Sequence, residues 1–132
     1  MAQTAPTALH GSNEPVLLRQ DQGPVCILTL NRPEARNSLS ENMLEALNEA
    51  LTQVAGSKET KAVILAANGP VFCAGHDIRE MQGHRGDADN GKAFFEAMFR
   101  ACSAVMQKIV ACPKPVIAAV EGTATAAGCQ LV

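Results

Sequence analysis

The side chains best suited to chemistry in this sequence are a cysteine and a histidine spaced as CxxH, Cys73 and His76. A thiolate beside an imidazole is the arrangement of a cysteine nucleophile, and the same spacing is half of a zinc site. A zinc site needs a second pair of ligands at metal-binding spacing, which the sequence lacks, so we expect no metal. The nucleophilic pair stays open as an alternative. His10 and His84 lie in segments that we expect to be mobile, and neither indicates a site.

Two runs of small residues offer backbone N–H groups rather than reactive side chains. Gly75 stands beside His76 and permits a backbone angle that other residues avoid. Ala126, Ala127 and Gly128 lie where a helix is predicted to begin, and the first N–H groups of a helix are unpaired and favour negative charge. An ordinary strand-to-helix turn and close helix packing explain the same residues without chemistry. The small-residue pattern alone therefore leaves both interpretations open.

Alternating strands and helices must position these residues. Runs of β-branched residues predict strands, and apolar residues at helical period predict helices. The predicted strands are residues 16–20, 25–30, 61–66, 71–73 and 116–120. The predicted helices run from a capping box at Ser38 and Glu41 to Gly56, from an Asp77 cap to Met81, over Lys92–Ala111, and onward from Ala127 or Gly128. This order predicts an α/β fold with repeated crossovers from strand to helix.

The composition limits the classes of protein that fit. The chain has 132 residues, 47% of them hydrophobic, which suits one globular domain with its own core. A net charge of −2 without a basic cluster argues against nucleic-acid binding, and no apolar run is long enough for a membrane helix. Five cysteines without a CxxC pair indicate reduced thiols. The glycine-rich segment 83–91 lacks a GxGxxG pattern, so we expect a mobile loop and no dinucleotide site.

The two ends of the chain give expectations about domain limits and compartment. Residues 1–13 show neither the apolar core of a secretion signal nor the arginines of a mitochondrial leader. We expect a disordered segment there, a domain over residues 14–132 and a cytoplasmic protein. The apolar end at Gln130, Leu131 and Val132 falls inside a predicted helix. We therefore expect that the C-terminal part of the domain is absent.

Three stretches together resemble the enoyl-CoA hydratase/isomerase (crotonase) superfamily. Residues 30–39 (LNRPEARNSL) are similar to its LNRPxxxNAL signature, and residues 71–80 (VFCAGHDIRE) to FxAGxDxxE. Residues 113–122 (PKPVIAAVEG) are similar to KPVIAAVxG, and residues 124–131 (ATAAGCQL) to the GGGxEL helix start that follows it. This last stretch looks most like the subgroup called enoyl-CoA hydratase domain-containing protein 3. The resemblance implies a crotonase-like (ClpP/crotonase) fold of repeated β-β-α units, of which the chain carries the N-terminal half.

The function implied by the resemblance is that of an acyl-CoA-processing enzyme, an enoyl-CoA hydratase-like lyase or an isomerase of fatty acid metabolism. The shared reaction of the family builds negative charge on a thioester oxygen, which preorganised backbone N–H donors stabilise. By resemblance, the two donors of this oxyanion hole are the N–H groups of His76 and Ala127. No tightly bound cofactor is implied, because coenzyme A enters as part of the acyl-CoA or enoyl-CoA substrate. For the full-length protein the resemblance implies a homotrimer or hexamer.

Further residues are assigned to the substrate by the same resemblance. The positions that match the family's substrate-binding and CoA-binding residues are Ala35, Arg36, Asn37, Ala74, Gly75, Asp77, Ile78 and Gly128. Arg36, Arg79 and Lys92 are candidates for contacts with CoA phosphates, although each also fits an ordinary solvated surface charge.

Two departures from the family pattern bear on catalysis. Gln130 stands where family hydratases place a glutamate acid/base, and an amide side chain cannot exchange a proton near neutral pH. His76 stands where a small residue is common, so either its backbone alone matters or its ring acts in the acyl pocket. Two alternatives to an active enzyme therefore stay open: a non-catalytic CoA-ester-binding pseudoenzyme, and a truncated chain without independent activity.

Overall fold

The computed structural model describes residues 13–132. The strands are β1 (Leu17–Gln22), β2 (Val25–Leu30), β3 (Ala62–Ala67), β4 (Val71–Cys73), β5 (Val116–Ala118) and β6 (Thr123–Ala124). The α-helices are α1 (Glu41–Gly56), α2 (Ile78–Gly83) and α3 (Lys92–Ala111), and the 3-10 turns are Pro33–Ala35, His84–Gly86 and Ala126–Leu131. The disorder expected at residues 1–13, and His10 with it, lies outside the described residues except for Asn13.

Four strands form the main sheet in the order β1-β2-β3-β5, and β4 pairs in parallel with β6 in a second small sheet. Strand β1 is antiparallel to β2, whereas β2, β3 and β5 run parallel, as crossover connections require. The β1–β2 hairpin turns at Gly23, whose φ of 56° is in the left-handed region. Strand β1 therefore continues to Gln22, two residues beyond the prediction. The mixed topology confirms the expected α/β class.

Helix α1 packs against the sheet through the apolar stripe that its sequence predicts. The buried residues of the stripe are Met43, Leu44, Leu47, Ala50, Leu51 and Val54. Burying each large side chain of this kind contributes roughly 1.5–3 kcal/mol. Helix α3 packs beside α1, but only Met98, Cys102 and Val105 of its predicted stripe are buried. Phe99 remains 50% exposed, which leaves part of the apolar surface of α3 free to line another feature.

The N-terminal cap of α1 differs from the prediction. Ser40 caps the helix, because its Oγ accepts the N–H of Met43 at 3.2 Å. Ser38, the predicted cap, instead places its hydroxyl 3.2 Å from the carboxylate of Asp77. Both serines precede Glu41 closely, and only the distant partner of Ser38 decides which of them caps the helix. The prediction was therefore wrong by two residues for a tertiary reason.

The glycine-rich segment and the C-terminal segment also differ from expectation. Helix α2 extends to Gly83 and is followed by a 3-10 turn, so the segment 83–91 is not a featureless loop. The carboxylate of Asp89 accepts the N–H groups of Gly91 and Ala93, both at 2.9 Å, where α3 begins. At the C-terminal end, the unpredicted strand β6 leads into a 3-10 turn rather than an α-helix. Thr125 donates its N–H to the carbonyl of Cys73, which ties this segment to β4.

Within residues 13–132, none of the helices combines the length and the apolar character that crossing a membrane requires. All five cysteines are free thiols, as expected, and three of them are buried.

A buried asparagine fixes the loop between β2 and α1. Asn37 is fully buried and has a left-handed backbone, with φ 51°. Its side-chain amide donates to the carbonyls of Asn68 and Val71 at 2.8 and 2.9 Å, and its oxygen accepts the N–H of Arg32 at 2.8 Å. The side chain thus connects its own loop to the turn before β4. The structure gives Asn37 a structural role, and its side chain has no free group for the predicted contact with CoA.

The same loop is joined to the segment after β4 by backbone hydrogen bonds. Ala74 donates its N–H to Arg36, Leu39 donates to Gly75, and the N–H of Asp77 returns to Leu39. The Asp77 carboxylate accepts two backbone N–H groups at the start of α2 and forms an ion pair with Arg32 at 3.1 Å. Burial alone raises the pKa of Asp77, but these hydrogen bonds outweigh burial and hold it below its ordinary value.

Replacing Asn37 with alanine is expected to destabilise the protein by about 2–4 kcal/mol, because three buried backbone groups lose their partner. The measurement is urea unfolding of the intact protein. Asn90→Ala is the matched control, since Asn90 also has a left-handed backbone, with φ 57°, but is exposed. It is expected to cost only about 1 kcal/mol of backbone strain. Equal losses for the two variants would contradict the role of the Asn37 side chain.

Asp77→Asn is expected to lower the free energy of unfolding by about 1–3 kcal/mol at neutral pH, because the ion pair with Arg32 is lost. The folded state lowers the pKa of Asp77, so this stabilisation is complete above the unfolded value of about 4 and disappears as pH falls through the lower folded value. The stability difference between wild type and variant should therefore shrink below about pH 4. Asp21→Asn, at a carboxylate that is about half exposed, is the control. A difference that stays constant down to pH 2 would refute the assignment.

Candidate functional site

The second of the family-like motifs (residues 71–80) leaves β4 through a glycine at which any side chain would be strained and crowded. Gly75 has φ 90°, and a Cβ added there would lie 2.9 Å from the Cβ of Ala126 and 3.2 Å from the nitrogen of Ala127. The absence of a side chain thus lets the backbone of the third motif (residues 113–131) come into contact with the second. The unusual backbone angle predicted for Gly75 is confirmed.

A second glycine makes the reciprocal approach possible. A Cβ on Gly128 would lie 2.3 Å from the carbonyl oxygen of Cys73, so Gly128 packs directly against the end of β4. Gly128 is buried and has this packing role, and its predicted contact with substrate stays a prediction. Ala126 also has a left-handed backbone, with φ 50°, which turns the chain into the 3-10 turn.

The two predicted donor groups lie on this junction. Among the described residues, neither the N–H of His76 nor that of Ala127 has a hydrogen-bond acceptor. Leu39 pairs with His76 in a parallel bridge through the neighbouring groups of Gly75 and Asp77, so the N–H of His76 points to the side opposite Leu39. Both residues line one cavity of about 520 Å³. The two residues that carry the predicted donors therefore line the same cavity.

The cavity is open to solvent and is lined by the junction on one side and by α3 on the other. Its apolar lining residues are Phe99, Cys102, Met106, Val110 and Ala127, and its polar lining residues are His76, Ser103, Gln107 and Gln130. Gln130 thus reaches the cavity, as its place in the motif predicts. The sequence analysis missed the wall contributed by α3, because its apolar residues were assigned to the core. The apolar face of α3 is wider than packing against α1 alone requires, and this width was the available signal.

A polar cleft of about 910 Å³ adjoins the cavity. The predicted substrate-binding residues that line it are Ala35, Arg36, Ala74, Asp77 and Ile78, together with Arg79. Asp77 is engaged with Arg32, whereas Ile78 is 60% exposed. Lys92, the other cation considered for phosphate contacts, begins α3 and does not line this cleft. The structure therefore brings the first motif (residues 30–39) and the second motif together around one polar space.

The His76 ring lies at the cavity and does not point away from it. It packs edge-on against Phe99 with ring centroids 5.3 Å apart, and Phe99 is a cavity residue. Burial lowers the pKa of the imidazole, which favours the neutral ring at physiological pH.

The alternative of a cysteine nucleophile at Cys73 finds no support. Burial raises the pKa of the Cys73 thiol, and this disfavours the thiolate that a nucleophile needs. In the part of the chain that is described, no group of three or more His, Cys, Asp or Glu side chains is arranged to hold a metal ion.

Comparison with known proteins agrees with this geometry. The enoyl-CoA hydratase/isomerase family matches residues 20–132. The mitochondrial enoyl-CoA hydratase domain-containing protein 3 of Danio rerio is 40% identical over 124 residues, which cover 94% of this chain and 41% of the relative. The human protein of the same name is 42% identical over 105 residues, covering 80% and 33% of the two chains.

Solved structures share the fold. An enoyl-CoA hydratase of Mycobacterium smegmatis superposes with a TM-score of 0.81 at 50% identity, covering 89% of this chain and 44% of that one. Human enoyl-CoA hydratase domain-containing protein 3 gives a TM-score of 0.79 at 38% identity over 88% of this chain and 44% of that chain. The crotonase fold predicted from the motifs is therefore confirmed.

Two further findings qualify the sequence expectations. The chain spans about two fifths of the length of the Danio rerio relative, and it corresponds to the N-terminal part of the family domain. The vertebrate relatives are named mitochondrial, which does not agree with the expected cytoplasmic location. The family match over most of the chain, the identities and the shared fold lead to one conclusion: the chain belongs to the enoyl-CoA hydratase/isomerase family.

Proposed function

We propose that the protein binds acyl-CoA or enoyl-CoA thioesters and stabilises the enolate oxygen between the N–H groups of His76 and Ala127. The observation that carries the proposal is the pair of N–H groups without protein acceptors at one cavity of about 520 Å³. Preorganised donors of this kind stabilise charge that develops in the transition state, because they need no reorganisation during the reaction. The reaction supported best is hydration or isomerisation of an enoyl-CoA, in the manner of a lyase or isomerase of fatty acid metabolism.

The two spaces suit the two parts of such a substrate. The polar cleft presents Arg36 and Arg79, which can meet CoA phosphates, and the cavity presents Phe99 and Met106 to an acyl chain. His76 lines both, which supports a thioester position at their boundary. Coenzyme A arrives with the substrate, and we propose no tightly bound cofactor. A homotrimer or hexamer of the full-length protein is part of this proposal.

A non-catalytic CoA-ester-binding protein is the second candidate, and Gln130 favours it. Gln130 lines the cavity next to Ala127, where a carboxylate would have to hold and deprotonate water. The two candidates differ in turnover but share binding. Hydration of crotonyl-CoA by the intact protein, compared with calorimetric binding of butyryl-CoA, separates them.

Gly75→Ala is expected to lower kcat for crotonyl-CoA about 100-fold, which is the typical effect of losing one oxyanion donor. The added methyl group would push the backbone at Ala127 away, because it would lie 3.2 Å from that nitrogen. The assay is steady-state hydration by the intact protein, with circular dichroism as a check of folding. Gly83→Ala is the matched control, since no atom lies within 4 Å of the added methyl, and its kcat should stay within about twofold. A folded Gly75→Ala variant with wild-type kcat would refute the donor assignment. If the protein only binds esters, the same variant should instead weaken butyryl-CoA binding.

Gln130→Glu is expected to raise the rate of crotonyl-CoA hydration at least tenfold, because general acid–base catalysis typically contributes about 10²–10⁴-fold. The variant introduces a proton-exchanging group at the cavity wall while nearly preserving side-chain size. Gln130→Ala serves as the comparison and should leave the wild-type rate nearly unchanged. An unchanged rate in Gln130→Glu, together with normal butyryl-CoA binding, would show that water is not activated from this position.

A further inference from the structure

The ring of His76 occupies the boundary between the polar cleft and the apolar cavity. Within the described residues, it is the one residue that lines both spaces. The edge-on contact with Phe99 places the ring on the cavity side, since Phe99 lines the cavity and not the cleft. Under the proposed function, the imidazole therefore stands where an acyl group would pass from the cleft into the cavity.

The two ring nitrogens have different surroundings. Nδ1 is buried without a hydrogen-bond partner. Nε2 is not among the buried unpartnered atoms, and no protein hydrogen bond engages it in residues 13–132. Nε2 is therefore the nitrogen with access to the open space beside the ring.

This difference selects one protonation state. A proton on Nδ1 would leave a buried N–H donor unpaired, whereas an unpaired lone pair is the more common and less costly case. The imidazolium would carry the same unpaired N–H on Nδ1, and burial lowers the pKa of the ring. The favoured form is the neutral ring with its proton on Nε2. In this form His76 is a hydrogen-bond donor and not a proton acceptor.

The cavity beyond the ring is not purely apolar. Ser103 and Gln130 line it together with Phe99 and Met106. A saturated alkyl chain lying against the ring would displace water from the Nε2–H of His76 and offer it no acceptor, and a desolvated donor without a partner costs binding energy. An acyl group that carries its own oxygen at this point would accept that hydrogen bond.

We propose that the Nε2–H of His76 donates a hydrogen bond to an oxygen on the third carbon of a CoA-linked acyl group, and so selects oxygenated acyl chains. The inference rests on the proposed function, because the thioester must first lie between the N–H groups of His76 and Ala127. The ring belongs to the residue that supplies one of these donors, so it reaches only acyl atoms within a few bonds of the thioester carbon. The second carbon takes part in the enolate, which leaves the third carbon as the nearest position for a substituent oxygen.

The test compares acetoacetyl-CoA with butyryl-CoA, two esters of equal chain length of which only the first has an acceptor oxygen on its third carbon. Calorimetric titrations use the intact wild-type protein and the variants His76→Ala, His76→Gln and His76→Asn. The terminal amide nitrogen of glutamine reaches about as far as Nε2, whereas that of asparagine reaches only as far as Nδ1. These two variants therefore report which ring nitrogen acts.

Wild type is expected to bind acetoacetyl-CoA about fivefold to tenfold more tightly than butyryl-CoA, as one hydrogen bond allows. His76→Gln should keep most of this ratio, and His76→Ala and His76→Asn should reduce it to about one. A change in affinity that both esters share is assigned to packing of the ring in the cavity, and only the ratio of the two affinities reports the hydrogen bond. If His76 had only a structural role, its replacement would weaken the binding of both esters together and leave the ratio of their affinities unchanged.

Three results would overturn the inference. They are equal wild-type affinity for both esters, an undiminished ratio in His76→Ala, and a ratio kept by His76→Asn but lost in His76→Gln. Wild-type binding of neither ester would contradict the proposed function itself, whereas equal binding of both contradicts only the role of His76. If His76→Ala does not fold, the comparison of the glutamine and asparagine variants decides.

Discussion

The contact between two glycine-containing backbone segments is the constraint on which the site depends. Side chains at Gly75 and Gly128 would overlap the atoms of the opposing segment, at 2.9 Å and 2.3 Å respectively. With neither side chain present, the turn after β4 and the 3-10 turn Ala126–Leu131 lie against each other. The N–H groups of His76 and Ala127 lie on these two segments, and neither has a protein acceptor among the described residues.

The opposite side of the second motif is held just as firmly. The loop containing Asn37 is bound to the turn before β4 by a buried amide, and Leu39 pairs with the backbone around His76. Asp77 adds an ion pair to Arg32 and caps α2 at the same time. The second motif is thus fixed between the first motif and the third. Motifs that are separated along the sequence are neighbours in the fold, and hydrogen bonds between their backbones join them.

The sequence predicted most of the elements but fewer of the side-chain roles. The stripe of α1 and the strands β2 and β4 follow from local periodicity, which short-range sequence shows directly. The exchange of roles between Ser38 and Ser40 depends on Asp77, which lies 39 positions further along the chain from Ser38. The side chain of Asn37, which matched a substrate-binding position, is a buried connector between two loops. Long-range partners of this kind leave no local signal, so single-sequence reasoning finds the motif without finding which of its residues serve the fold.

The wall that α3 contributes to the cavity is a second feature that local sequence could not identify. Its apolar residues have helical spacing, and spacing alone cannot tell a core face from a cavity face. Phe99 is half exposed because the cavity lies in front of it, with the ring of His76 at its edge. The contact with Phe99 gives the His76 ring an aromatic packing partner. This contact explains how a histidine fits at a position where small residues are common. In the proposed function, charge on the thioester oxygen is stabilised by the backbone of His76, which leaves its side chain available for another part of the substrate. Among the described residues, the cavity lining includes Gln130 but no carboxylate, so a proton-transfer group for the proposed reaction has to come from outside this lining.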